Sequence, residues 1–194
     1  MPFSRPLVLA SASARRARIL AEIGVPFVVA PVDAPEPRTE DPVESAVAAA
    51  LSKHAAARAL HPAEFLCTAD TLVECGGAVL GKPADRADAV AMLLRLSGRT
   101  HRVFTAVALS APGAAEPDLF VEAAAVRFRT LTPEAASAYL ALAGTTDRAG
   151  AYDVADHGAE VVESLTGSRT CVMGLPAEVV SAWCAAHLPA APSA

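Results

Sequence analysis

Four basic side chains, two serines and one acid in this sequence have the types and spacing to bind a phosphate chain and a metal ion. They are Ser11, Ser13, Arg15, Arg16, Lys53, Asp70 and Lys82. Phosphoryl chemistry depends mainly on positioning and charge neutralisation, which such a set can supply. The inventory matches a triphosphate together with a divalent cation.

The segment SASARR, residues 11–16, follows an apolar stretch and opens a run with helical periodicity. Arginines in the first turn of a helix oppose its macrodipole, so Arg15 and Arg16 need an anion there. A phosphate would gain the free N–H groups of the helix start and bidentate contacts from the arginines. The alternative is a surface helix that is capped by Ser13 and tolerates both charges.

Asp70 interrupts the apolar stretch FLCTADTLVE, residues 65–74. A carboxylate within a buried strand is costly unless it is paired or bound to a metal. It could hold Mg²⁺, orient a water for attack, or do both. The alternative is a turn residue at the end of the strand.

Lys53 and Lys82 are the remaining cations of the set. Lys53 lies in a helix made almost entirely of alanine and leucine, where it is either a solvated side chain or a ligand contact. Lys82 lies between Gly81 and Pro83, a rigid setting that suits an oxyanion and equally suits a plain turn.

Composition and missing motifs exclude several classes of protein. The net charge of −5 argues against a protein that coats nucleic acid through a basic surface. The four cysteines form no CxxC pair, which predicts reduced, buried thiols in a cytoplasmic protein. We find no signal peptide and no apolar run long enough to span a membrane. The motifs GxxxxGK[ST], GxSxG, HExxH and GxGxxG are also missing, which disfavours their enzyme classes.

Hydrophobic periodicity and turn residues predict a mixed α/β fold with antiparallel strands in its middle. The predicted strands are 6–10, 26–31, 65–74, 78–83, 101–111 and 120–131. The predicted helices are 13–23, 43–60, 84–98, 132–142 and 176–188. The proline-rich segment 32–42 is predicted to be a loop, and the end of the chain from about residue 189 is predicted to fray.

Five sequence blocks in this order resemble the Maf family of nucleoside triphosphate pyrophosphatases, also called septum formation inhibitor Maf. LASASARR resembles the family's opening LASxSPRR, and ADTLVECGGAVLGKP resembles its ADTxV…GKP block. AVAMLLRLSGRTHRVFTAVAL, DRAGAY and GSRTCVMGLP match three further blocks. The resemblance runs from about residue 7 to residue 180, nearly the whole chain.

The resemblance implies hydrolysis between the α and β phosphates, which gives a nucleoside monophosphate and pyrophosphate. It implies Mg²⁺ or Mn²⁺ as cofactor, a homodimer, and a single domain over residues 1–194. The implied fold is an elongated, two-lobed α/β architecture like that of the ITP pyrophosphatases, with flanking helices and a central cleft. By position, the family's site residues are Ser11, Arg15, Arg16, Lys53, Asp70 and Lys82, with Asp70 as the catalytic and metal-binding acid.

The chain departs from the family pattern at both ends of the expected site. An acidic pair is replaced by Asp33 and Ala34, which leaves Asp33 or Glu36 as the second metal ligand. Ala155 occupies the slot of the glutamine of the dTTP/UTP subgroup, so the preferred base stays open. Three alternatives also stay open: a nucleotide-binding regulator of septum formation, a phosphomonoesterase, and basic residues scattered over the surface.

Overall fold

The computed structural model describes residues 3–144 and 148–190, and it divides the chain into two compact units. The first unit comprises the described residues of Met1–Asp70, Thr105–Glu122 and Gly174–Ala194, and the second comprises those of Thr71–Phe104 and Ala123–Met173. Asp147 of the DRAGAY block and residues 191–194 of the tail lie outside the described residues. The predicted single domain with two lobes around one cleft stays a prediction.

The strands form a mixed sheet in the order β2-β1-β3-β5-β6-β7, with β4 paired to β3. Their bounds are β1 Leu7–Leu9, β2 Phe27–Val29, β3 Phe65–Cys75, β4 Ala78–Leu80, β5 Thr100–Ser110, β6 Asp118–Phe128 and β7 Val162–Thr166. All six predicted strands are present. The seventh, β7, was not predicted because its short sequence VESLT is half polar and lacks alternation.

The helices confirm the predicted fold class, α/β with helices flanking a mixed sheet. Their bounds are α1 Ala14–Glu22, α2 Pro42–Leu60, α3 Arg86–Leu96, α4 Pro133–Ala143, α5 Gly158–Val161, α6 Arg169–Met173 and α7 Ala177–His187. The five longer helices correspond to the five predicted ones. A 3₁₀ turn covers Ala149–Ala151.

Polar side chains set where these helices begin. Ser13 caps α1 by accepting the N–H of Arg16, and Asp41 caps α2 by accepting the N–H groups of Val43 and Glu44. Thr132 likewise caps α4 by accepting the N–H of Ala135. These contacts satisfy N–H groups that have no partner within the helix.

The core of the first unit is built on parallel strands. β1 lies between β2 and β3, with Leu9 opposite Val29 on one side and Cys67 on the other. β1 is buried along its length and reads as a continuous apolar run, whereas Val28 and Val29 of the edge strand β2 are about half exposed. Asp70 follows in β3 three residues beyond Cys67, about 10 Å further along the strand than the partner of Leu9.

The second unit has an aromatic core. The rings of His101, Phe128 and Tyr152 pack edge to face, with centroids 4.9–5.3 Å apart. The nearby Gly150 has φ +70°, and an added Cβ would lie 3.4 Å from the Tyr152 ring. The glycine therefore allows the chain to turn tightly beneath the tyrosine.

Two expectations from composition concern cysteines and membrane spans. All four cysteines are buried thiols outside any disulfide, as predicted. Burial raises the pKa of Cys67 and of Cys184 to about 12, so neither thiol is reactive near neutral pH. Within 3–144 and 148–190, no helix has the length and apolar character needed to cross a membrane.

Candidate functional site

A buried ion pair between Lys53 and Asp70 forms the centre of the candidate site in the first unit. The Thr68 hydroxyl donates to the carbonyl of Ala50 at 2.9 Å, which fixes β3 against α2. One turn further along α2, Lys53 Nζ lies 2.7 Å from Asp70 Oδ1. The two side chains are only 15% and 8% exposed, so each charge depends on the other for compensation.

The loop before α2 supplies two more charges to this pair. Glu36 Oε1 lies 2.6 Å from Lys53 Nζ, and Arg38 Nη1 lies 3.1 Å from Asp70 Oδ2. Arg38 Nη2 and Glu36 Oε2 close the ring at 2.8 Å. Lys53, Asp70, Arg38 and Glu36, hereafter the four-charge network, thus alternate in sign around one centre.

Ser11 and Arg16 are joined at the start of α1. Arg16 Nη1 donates to Ser11 Oγ at 3.0 Å, and Arg16 Nε donates to the carbonyl of Gly174 at 2.8 Å. Burial lowers the pKa of Arg16, while the charge of Asp70 opposes that shift. A desolvated guanidinium in the field of Asp70 is an electrostatic setting in which an added anion is stabilised.

The remaining predicted residues have different surroundings. Arg15 lies partly buried in the first turn of α1, where its charge further lowers the pKa of Arg16. Asp33 is exposed and lines a surface depression with Ala34 and Pro35. Of the two proposed second acids, Glu36 is therefore the one that the structure brings to Asp70.

Lys82 belongs to the second unit. It is exposed in the turn after β4, and the carbonyl of the preceding Gly81 accepts the N–H of Gly150 at 3.1 Å. This hydrogen bond holds the backbone of the turn, so Lys82 is presented from a fixed support. Its role in the site stays a prediction.

Sequence reasoning missed Arg38. It lies in a proline-rich, charged segment that the sequence correctly predicts as a loop, and a loop gives no periodicity from which the direction of a side chain follows. The available signal was the spacing of Glu36 and Arg38, since residues two apart in an extended segment point the same way. Charged loop residues also carry function more often than residues in regular elements.

Carboxylates of the four-charge network fit a divalent cation in part. Oxygens of Asp70 and Glu36 both lie within 2.7 Å of a single nitrogen, Lys53 Nζ, so they converge on one positive charge. No group of three or more His, Cys, Asp or Glu that could hold a metal occurs in the described residues. Mg²⁺ often binds through one or two carboxylates plus substrate phosphates, which is the set that these residues could offer.

A second charged cluster organises residues 153–155 of the second unit. The buried Asp153 pairs with Arg148 and accepts the N–H of Ala155 at 2.7 Å. Arg169 Nη2 donates to the carbonyls of Val154 and Ala155 at 2.7 and 3.3 Å. The segment that carries Ala155 is thus held by its own neighbours.

Comparisons with known proteins identify the family of the chain. Residues 6–186 match the family model described as Maf-like protein. Two relatives named dTTP/UTP pyrophosphatase, from Moorella thermoacetica and Symbiobacterium thermophilum, are 42% and 41% identical over 172 residues, 88% of this chain and 89% and 88% of theirs. The Staphylococcus aureus Ham1 structure matches with a TM-score of 0.45 and 18% identity, over 64% of this chain and 72% of that one. With its family model matched over nearly its whole length, the chain belongs to the Maf-like protein family.

Proposed function

We propose that this protein is a nucleoside triphosphate pyrophosphatase that converts a pyrimidine (d)NTP to the (d)NMP and pyrophosphate. The observation that carries the proposal is the buried pair of Lys53 and Asp70 near the basic start of α1. The relatives named dTTP/UTP pyrophosphatase support a hydrolase of nucleoside triphosphates and make dTTP and UTP the first substrates to test.

The triphosphate binds at the basic groups. Arg16 and Ser11 at the start of α1 offer charge-assisted and hydroxyl donors, and the dipole of that helix favours an anion at this end. Arg15 and Lys53 contribute further positive charge, and Lys82 is assigned to the same task by the family resemblance. Charge neutralisation and fixed geometry are the main contributions that an enzyme makes to this reaction.

Asp70 is the residue assigned to the chemical step. Its carboxylate orients a water and accepts its proton as the water oxygen bonds to the α-phosphorus. The bond from the α-phosphorus to the bridging oxygen breaks, and pyrophosphate leaves with that oxygen. Lys53 holds the Asp70 carboxylate in place for this role, with Nζ donating to Oδ1 at 2.7 Å.

A divalent metal, Mg²⁺ or Mn²⁺, is part of the proposal. Asp70 and Glu36 are the residues that would hold it, because their oxygens converge on one cation. When bound, the metal would supply positive charge that neutralises the phosphates. We further propose a cytoplasmic homodimer without nucleic-acid partners: the free cysteines fit a reducing compartment, and the dimer rests on the family resemblance.

A substrate panel tests the activity. Purified protein is incubated with dTTP, UTP, CTP and 7-methyl-GTP, with Mg²⁺, Mn²⁺ or EDTA, and pyrophosphate and orthophosphate are measured separately. We expect pyrophosphate with dTTP or UTP and a metal, and none with EDTA. Orthophosphate as the first product would indicate a phosphomonoesterase and overturn the proposal.

A second candidate is a nucleotide-binding regulator of septum formation without useful catalysis. Two observations favour it: Ala34 replaces an acid of the family pattern, and both oxygens of Asp70 are engaged by cations. It predicts nucleotide binding with no release of pyrophosphate under any of the conditions of the panel.

A further inference from the structure

The four-charge network has an inner pair and an outer pair. Lys53 and Asp70 are nearly buried and lie on regular elements, α2 and β3. Glu36 and Arg38 are 44% and 42% exposed and lie on a segment without regular structure. The loop therefore places one half-exposed charge of each sign against a nearly buried pair of opposite signs.

We propose that Glu36 and Arg38 compensate the charges of Lys53 and Asp70 in the ligand-free protein and are displaced from them when the ligands bind. We also propose that Arg38 is a further triphosphate-binding residue. Arg38 contacts the Asp70 carboxylate, which would hold a metal cation, and Glu36 contacts Lys53, which would bind a phosphate. When nucleotide and metal arrive, Arg38 moves to the phosphates and Glu36 joins Asp70 on the metal side. This inference rests on the proposed function, since it names further residues of the same site.

The anchoring of the loop explains how the exchange occurs without unfolding. The N–H of Thr39 donates to Ser45 Oγ at 2.8 Å, and the same hydroxyl donates back to the carbonyl of Thr39 at 3.2 Å. Ser45 is fully buried in α2, so the backbone next to Arg38 is fixed to the helix. A long arginine side chain can then swing between the carboxylate and a phosphate while its backbone stays in place.

Guanidinium chemistry makes Arg38 suited to both partners. Its planar fork donates to carboxylates in the ligand-free chain and matches phosphate oxygens equally well. The outer partner of each pair is close to half exposed, so water can compensate its charge when the contact breaks on binding. The pairs keep Asp70 and Lys53 compensated until the ligands replace them.

Binding measurements with Arg38→Ala separate this role from a merely structural one. The probes are Mn²⁺ alone, followed by electron paramagnetic resonance, and α,β-methylene-dTTP in EDTA, followed by calorimetry. We expect Mn²⁺ to bind about threefold or more tighter, because a competing cation is removed from Asp70. We expect the analogue to bind about tenfold weaker, because a bidentate phosphate contact is lost.

Matched variants define the site. Arg18→Ala removes a comparable arginine, which pairs with Glu22 at 2.9 Å on the exposed side of α1, and should leave both affinities within about twofold. Asp70→Asn should abolish the binding of Mn²⁺, and Glu36→Gln should weaken that binding. Arg38→Gln, which keeps most of the side-chain length, should reproduce both shifts of Arg38→Ala.

The outcomes are distinct. If Arg38→Ala weakens both probes, Arg38 only holds the loop; if it leaves the analogue unchanged, Arg38 does not bind phosphate. Either result overturns the inference. If the wild type binds the analogue but releases no pyrophosphate from dTTP, the proposed function fails while the assignment of Arg38 stands. A wild type that does not bind the analogue contradicts both.

Discussion

The four-charge network of the first unit and residues 153–155 of the second unit use charged side chains in opposite ways. In the network each charge faces another side chain, and the outer two are close to half exposed. In residues 153–155, Asp153 accepts a backbone N–H, and Arg169 donates to backbone carbonyls. Side-chain pairs near solvent can change partners, whereas charges bound to backbone fix the shape of a segment. The four-charge network is therefore suited to exchanging its partners for ligands, whereas residues 153–155 are held in one backbone conformation.

Removal of the Asp70 charge should have the largest effect on the function of the four-charge network. We expect Asp70→Asn to lower the rate of pyrophosphate release from dTTP by about 10³-fold or more, since it removes the proposed base and metal ligand. The fold should persist, as judged by circular dichroism. Glu22→Gln, an exposed acid on α1, should retain the wild-type rate. Full activity of Asp70→Asn would refute the assignment.

Loss of the Asp153 charge tests the fixed side of the comparison. Asp153→Asn removes the carboxylate charge that pairs with Arg148 in a site where the two side chains are 1% and 18% exposed. We expect a loss of about 3 kcal/mol in the free energy of unfolding, because removing one charge of a buried ion pair is strongly destabilising. Denaturant unfolding measures it. Glu163→Gln breaks an exposed pair with Arg127 and should cost under about 0.5 kcal/mol. Equal losses would contradict the comparison.

The buried His101 in the aromatic core of the second unit should make the stability of the protein depend on pH. Burial lowers the pKa of His101 to about 4, and its Nδ1 has no hydrogen-bond partner among the described residues. The unfolded chain binds the proton near pH 6.5, so stability is full above that pH and falls as the pH drops toward 4. The free energy of unfolding falls by about 3 kcal/mol in total. His101→Gln should remove this dependence, while substitution of the exposed His187 by Gln should preserve it. An unchanged pH profile in His101→Gln would show that other groups cause it.

The smallest effect is expected from Arg169→Ala. It releases the carbonyls of Val154 and Ala155 in the segment where the family resemblance places the subgroup glutamine. We expect the ratio of kcat/KM for dTTP to that for CTP to change by about threefold to tenfold. A backbone that is held less firmly at residues 154 and 155 should discriminate less well between bases. Arg169→Lys should change it less. If kcat/KM for every nucleotide falls by one common factor, the segment has no part in base selection.

The sequence predicted most of the fold because the relevant information is local. Caps such as Thr132, apolar periodicity and the polar loop 32–42 mark the ends of the elements. The burial of Asp70 within a strand was also predictable, since its neighbours are apolar. The contact between Lys53 and Asp70 was not, because it depends on how α2 packs on β3, which is a long-range property. Arg38 was missed because it lies in a loop, where no periodicity sets the direction of a side chain, and because its contact with Asp70 is also long-range.

Hydrolysis of dTTP in ¹⁸O-labelled water tests the central claim most directly. The account predicts one labelled oxygen in dTMP and unlabelled pyrophosphate, because the water oriented by Asp70 attacks the α-phosphorus. Label in pyrophosphate would place the attack on the β-phosphorus and contradict the proposed geometry. Labelled orthophosphate as the first product, or no turnover with Mg²⁺ or Mn²⁺, would contradict the proposed activity itself.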